Sequence, residues 1–82
     1  MKVFKIYTRY DEESRVWYVE KSNVPGLRAE ADTQDELLKE LRVLIPALLK
    51  ANNVRVDGDK QDHKSVPIEL IAQRRERVVV AG

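Results

Sequence analysis

The chain has 82 residues and a formal net charge of +1, and it contains no cysteine. This length fits one domain with a modest core, and the lack of cysteine excludes a disulfide scaffold and a thiolate metal site. No apolar run approaches the roughly 18 residues of a membrane span, and the first residues do not resemble a secretion signal. We therefore expect a cytoplasmic protein that forms a single domain over residues 1–82, with no separate DNA-binding domain, no membrane contact and no cofactor.

The charges are unevenly distributed along the chain. Residues 11–40 carry nine acidic and four basic side chains, whereas residues 74–77 are three arginines and one glutamate. DNA binding needs concentrated positive charge to neutralise phosphates, so we do not expect this chain to bind DNA. The acidic middle favours a basic protein partner instead.

Two strands joined by a hairpin are predicted at the start of the chain. Apolar and polar side chains alternate over residues 3–10 and again over residues 15–21, which is typical of half-buried strands. The acidic connection between them, from Asp11 to Ser14, is short and therefore favours an antiparallel hairpin.

A turn, a short third strand and a helix follow the hairpin. Pro25 presets its backbone angle and Gly26 can adopt the positive φ of a type II turn, so both are predicted to be structural turn residues. Residues 27–31 then form the predicted short strand. Thr33 and Glu36 are spaced as a capping box at the start of the helix. The predicted core stripe of the helix consists of Leu37, Leu41, Leu44, Ile45 and Leu48, with Leu38 and Leu49 at its edges.

The second half of the chain contains a helix interruption and a final strand. Pro46 removes a helical hydrogen bond, so we expect it to kink the helix or to start a second short one. Residues 54–65 are interpreted as a loop, and alternation from Ser65 to about Val80 predicts a last strand at an edge of the sheet. The arginine-rich residues 74–77 are interpreted as a charged extension of that strand that discourages edge pairing.

The predicted order is β-β-β-α-β, an α+β fold in which an antiparallel sheet of three to four strands has one face covered by a helix. One helix cannot cover both faces of a sheet, so some aromatic surface is expected on the other face. Tyr7, Val16 and Tyr18 are the candidates for this surface. They predict a homo-oligomer, a dimer or larger, that associates through the sheet face or an edge strand.

No catalytic or metal-binding constellation is visible in the sequence. His63 is the single histidine, and it lies in the predicted loop without a nucleophile nearby, so a solvated loop residue is the better interpretation. The aspartate-rich loop that begins at Asp57 does not follow calcium-loop spacing, since the sixth position is Asp62 and the twelfth is Ile68, rather than glycine and glutamate. We therefore expect a non-enzymatic protein without a metal.

Five features follow one another between Tyr10 and Leu49: an acidic turn, an aromatic strand, a Pro-Gly turn, a short strand with a polar cap, and a leucine-striped helix. They are Asp11-Glu12-Glu13, Trp17-Tyr18-Val19, Val24-Pro25-Gly26-Leu27, Ala29-Glu30-Ala31-Asp32-Thr33 and Glu36-Leu37-Leu38. This series resembles the N-terminal domain of HicB-type antitoxins, and Trp17 with the later Ile45-Pro46 is most similar to a subfamily of short standalone HicB-like proteins.

The resemblance implies a partial antitoxin, since HicB-like domains bind a small basic ribonuclease toxin and block its RNA-binding surface. Complete antitoxins also carry a C-terminal DNA-binding region, and residues 66–82 have room only for a strand. The candidate partner-binding residues are acidic, since acidic side chains steer a basic partner. A homo-oligomeric RNA-binding domain is the alternative, because a sheet backed by a helix can offer its free face to RNA. The acidic candidates are Asp11, Glu12, Glu13 and Glu40.

Overall fold

The computed structural model describes residues 3–54 and 65–81. Its elements in chain order are β1 (Phe4–Asp11), β2 (Val16–Ser22), β3 (Glu30–Ala31), α1 (Gln34–Ala51) and β4 (Ile68–Gln73). The strands form one sheet in the order β3-β2-β1-β4, and α1 packs on one face of it. The predicted α+β class with a single covering helix is confirmed.

Three sequence-based interpretations fall on residues outside the described ranges. They are the loop over residues 54–65, of which only 54 and 65 are described, the solvated role of His63, and the aspartate-rich stretch that begins at Asp57. Within the described ranges, no helix has both the length and the apolar character needed to cross a membrane.

The sheet is mixed, because its fourth strand runs parallel to its neighbour. β1 pairs with β2 and β2 pairs with β3 in the expected antiparallel sense. β4 runs parallel to β1, from Ile68 opposite Phe4 to Gln73 opposite Arg9. The reason is the crossover: α1 carries the chain across the sheet after β3, and a crossover of this kind returns the next strand in the parallel sense. The predicted antiparallel pairing is therefore confirmed for β1, β2 and β3, and it is wrong for β4.

The core lies between α1 and the covered face of the sheet. Phe4, Ile6 and Thr8 alternate along β1 and are at most 1% exposed. The Thr8 hydroxyl accepts a hydrogen bond from Gln34 Nε2 at 3.3 Å, so the buried oxygen has a partner. Leu49, predicted at the edge of the helical stripe, is buried, whereas Leu44 and Leu48, predicted in the stripe itself, are only half-buried. The helix contributes four buried side chains, Leu37, Leu41, Ile45 and Leu49.

The helix begins at the predicted cap and continues through its proline. Thr33 Oγ1 accepts a hydrogen bond from the Glu36 N–H at 3.1 Å. α1 runs through Pro46 as one element, so the alternative of a second short helix is wrong. Pro46 is exposed, whereas Ile45 and Leu49 are buried. Packing of these two side chains holds both halves of the helix against the sheet and offsets the lost hydrogen bond.

Both outer strands are shorter than predicted. β3 has only two residues: Leu27 turns into the core at 8% exposure, and the chain bonds to β2 only from Ala29 onward, where the Ala29 carbonyl accepts from the Val19 N–H at 3.1 Å. β4 ends at Gln73, so a strand that reaches about Val80 is too long. The described part of the chain places no strand on the outer side of β4, and residues 74–81 therefore have no ladder to join.

Candidate partner-binding surfaces

Two acidic segments meet at one end of the molecule. The turn between β1 and β2 and the start of α1 lie at the same end of the sheet, because Ala31 pairs with Trp17 at the start of β2 and Gln34 bonds to Thr8 near the end of β1. We call the carboxylates of these two segments the acidic end. The acidic end consists of Asp11, Glu12, Glu13, Asp32, Asp35 and Glu36.

No carboxylate of the acidic end forms an ion pair with another described residue. The two ion pairs in the described ranges lie elsewhere: Arg9 with Glu20 at 3.2 Å, and Arg74 with Glu76 at 2.9 Å. Carboxylates that no ion pair neutralises leave a negative potential in front of the surface. The acidic end is therefore available to a positively charged partner.

The three acidic residues of the hairpin turn have different structural roles. Asp11 Oδ1 accepts hydrogen bonds from the N–H groups of Glu13 at 3.0 Å and Ser14 at 3.4 Å. Arg15, with a positive φ of 57°, donates its N–H to the Asp11 carbonyl at 2.7 Å. Asp11 is half-buried and shapes the turn, whereas Glu12 and Glu13 are exposed. The three acids were predicted as one group, and the structural role of Asp11 was not predicted, although an aspartate three residues before a serine could have indicated it.

An aromatic pair lies beside the acidic end. Tyr10 and Trp17 are opposite each other in the β1–β2 ladder, and their ring centroids are 5.4 Å apart at an angle of 56°. The Arg74 guanidinium lies 4.2 Å from the centroid of the Tyr10 ring. Both rings are half-buried and so retain surface for contact. Tyrosine, tryptophan and arginine are the residues that most often anchor protein interfaces.

The fourth acidic candidate lies farther along the helix. Glu40 is exposed on α1, one helical turn beyond Glu36. The structure therefore places three predicted partner-binding residues together in the hairpin turn and the fourth on the helix surface.

The three residues predicted for self-association all lie on the sheet face opposite the helix. We call this surface the open face. Tyr7, Val16 and Tyr18 are half-buried there. The Lys21 ammonium lies 4.6 Å from the centroid of the Tyr7 ring, and Arg9 holds its ion pair with Glu20 on the same face. The open face thus carries both aromatic and charged side chains. Self-association through it stays a prediction.

The Pro-Gly turn has the geometry that its residues require. Gly26 has a positive φ of 72°. The Leu27 N–H donates to the Val24 carbonyl at 3.3 Å, which closes the turn. Val24 and Leu27 are both buried, so the turn fastens the chain to the core before β3 begins.

Metal ligands are not grouped in the described part of the chain. Residues 3–54 and 65–81 contain no cluster of three or more histidine, cysteine, aspartate or glutamate side chains that could hold an ion.

Comparison with known proteins gives a family and a structural relative. The model of the family described as "Domain of unknown function (DUF1902)" matches residues 3–81. The chain is similar to the crystal structure of hypothetical protein TTHA1013 from the extremely thermophilic bacterium Thermus thermophilus, with a TM-score of 0.68, 34% sequence identity, and coverage of 96% of this chain and 100% of that one. The comparison with curated proteins gave no match. Neither description names a ligand or a partner.

Proposed function

The chain belongs to the DUF1902 family, and we propose that it is a non-enzymatic interaction module that binds and blocks a small basic ribonuclease toxin, as a partial HicB-type antitoxin would. The observation that carries the proposal is the acidic end, whose carboxylates have no cationic partner in the described ranges and lie beside the Tyr10–Trp17 pair. A basic protein would supply the missing positive charges, and the two rings would supply apolar contact area.

Such a surface inhibits a ribonuclease by occupying the place of its substrate. A ribonuclease that binds RNA presents basic side chains to the phosphates. The carboxylates of the acidic end would take the positions of those phosphates and exclude the RNA. Their long-range attraction would speed the encounter, and the aromatic pair would hold the docked complex once water is expelled.

Neutralising the exposed turn acids tests the proposal. Glu12→Gln combined with Glu13→Gln removes two charges and leaves the turn-forming Asp11 unchanged. We predict that the free energy of unfolding stays within about 0.5 kcal/mol, because surface substitutions without structural contacts cost little. We predict that the association rate with a basic ribonuclease falls by about threefold to tenfold at low salt, and that its salt dependence weakens, because such charges act mainly on the encounter.

The experiment first isolates the partner by pull-down with the unaltered chain and then measures the rate at two salt concentrations. Glu69→Gln is the control: it removes a single exposed carboxylate, which lies on β4 and outside the acidic end. An unchanged rate in the double variant would rule out the acidic end as the docking surface. Failure to recover any basic protein would contradict the antitoxin role itself.

The open face favours RNA binding as a second candidate. Tyr7 and Tyr18 share this face with Lys21 and Arg9. Aromatic and basic side chains on a free sheet surface are what binders of single-stranded RNA use for stacking and for phosphate contact. Filter binding separates the two candidates: RNA binding predicts an affinity that falls steeply with salt and weakens in Lys21→Gln. The antitoxin proposal predicts no measurable affinity for RNA in either form.

A further inference from the structure

The C-terminal segment that follows β4 leaves three adjacent apolar side chains in water. Val78, Val79 and Val80 are 81%, 96% and 86% exposed. Consecutive valines have a strong preference for strands, yet this segment pairs with no described strand. The dimensions of the molecule, 62 × 22 × 18 Å, agree with a segment that projects from the body. A run of exposed branched side chains of this kind marks a surface for association.

The projecting segment continues the alternation of β4. Arg74 still points to the helix side of the sheet, since its guanidinium lies over the Tyr10 ring. Glu76, two residues on, forms an ion pair with Arg74 and so lies on the same side. The period of two then places Val78 and Val80 on the helix side as well. The segment thus carries two valines on the helix side of the sheet, and no described strand lies beside it.

The outer edge of β4 is a suitable place for such a segment to pair. β4 is the last strand of the sheet, and the described residues place no strand beyond it. β4 lies at the margin of the face that α1 covers, where Ile68 and Leu70 still pack against the core. Ile68 and Leu70 are consequently only half-buried, and Ala72 is exposed. An apolar strip thus remains on the helix side of this edge.

We propose that the chain forms a twofold-symmetric dimer in which residues 74–80 of each copy pair antiparallel with β4 of the other copy. Seven extended residues span about 23 Å, enough to cover the about 20 Å of the six-residue β4. With Val80 opposite Ile68 and Val78 opposite Leu70, both valines lie on the apolar strip. Each copy donates one segment and accepts one, so the assembly is closed at two copies. The outer edge of β4 is covered in both.

Charge on the other side of the sheet fits the same register. Glu69 lies on the open face, opposite Lys5 of β1, and is exposed. The register places Val79 of the second copy opposite Glu69 and makes Arg77 of the second copy its diagonal neighbour. Opposite charges at this spacing attract across a strand pair. The second copy therefore supplies both the apolar cover and a basic residue for Glu69.

Light scattering on matched variants tests the dimer. Val78→Asp with Val80→Asp places two carboxylates on the apolar strip, and we expect the dimer dissociation constant to rise by at least about 100-fold. Val43→Asp is the control, because Val43 is 72% exposed on α1, outside the proposed contact. The unaltered chain and the control should have twice the 9.5 kDa mass of one chain at micromolar concentration, and the tail variant should have the single mass.

A monomeric unaltered chain, or a tail variant that stays dimeric, would overturn the proposal. Tyr18→Ser separates it from association through the open face: if this variant is monomeric and the tail variant is dimeric, the contact lies on the open face. Cross-linking then tests the register, since the chain has no cysteine. Glu69→Cys with Val79→Cys should give a covalent dimer with a short bismaleimide, and Val43→Cys with Val79→Cys should not. Equal cross-linking of both variants, or of neither, would contradict the proposed pairing.

Discussion

Gly26 is the residue at which the backbone most restricts the choice of side chain. Its φ is 72°, and an added Cβ would meet Leu48 Cδ2 at 3.8 Å, an ordinary contact. The cost of a side chain here is therefore conformational. We predict that Gly26→Val lowers the free energy of unfolding by about 1–3 kcal/mol, and that Gly26→Asn loses less, because asparagine tolerates positive φ. Denaturant titration measures both changes, and equal midpoints for valine and glycine would show that the turn does not depend on this angle.

Asp11 shows what residue-level patterns leave open. Three adjacent acids between two alternating segments predicted a polar turn at the right place. The pattern could not tell which acid would bond to the backbone, because that depends on the positive φ of Arg15 and on the direction of the N–H groups that follow. The roles of Pro25 and Gly26 could be predicted, since proline restricts its own φ and glycine allows a positive φ at little cost.

The elements whose signals are local were predicted well. Alternation located β1 and β2 to within one residue at each end, and the cap at Thr33 fixed the start of α1. The outer strands were predicted too long, because alternation shows that a segment can be a strand but does not supply a neighbour for it. Leu27 is held by the core rather than by β2, and residues 74–80 have no partner strand within the described part of their own chain.

The surfaces of the whole molecule depend on which segments the sheet brings together. The acids of the hairpin and those of the helix start are about twenty residues apart in the sequence, and only the pairing of β3 with β2 places them at one end. The contact between Tyr10 and Trp17 likewise depends on the ladder register. The sequence could therefore list candidate residues, but it could not show which of them share a surface. Val16 and Tyr18 were the exception, because the period of two alone places them on one face of β2.

The proposed exchange of C-terminal segments also predicts how the stability of the whole molecule depends on concentration. A dimer that forms only from folded chains is stabilised by mass action, so its melting temperature should rise with protein concentration. Ending the chain at Glu76 removes the three valines and keeps both the Arg74–Tyr10 contact and the Arg74–Glu76 ion pair. We predict that this shortened chain keeps its fold, because the removed side chains are exposed and add nothing to the core of their own copy.

The melting temperature of the shortened chain should then be the same at low and high concentration, while that of the full chain should rise by several degrees over a hundredfold range, since about 2.7 kcal/mol of mass action is available over such a range. Thermal melting followed by circular dichroism at both concentrations measures how the melting temperature of each chain depends on concentration. An equal dependence for the full and the shortened chain would contradict the exchange of C-terminal segments, because the valines would then contribute to no contact between copies. A shortened chain that fails to fold would assign the segment to the core of its own copy, against the exposure of its side chains.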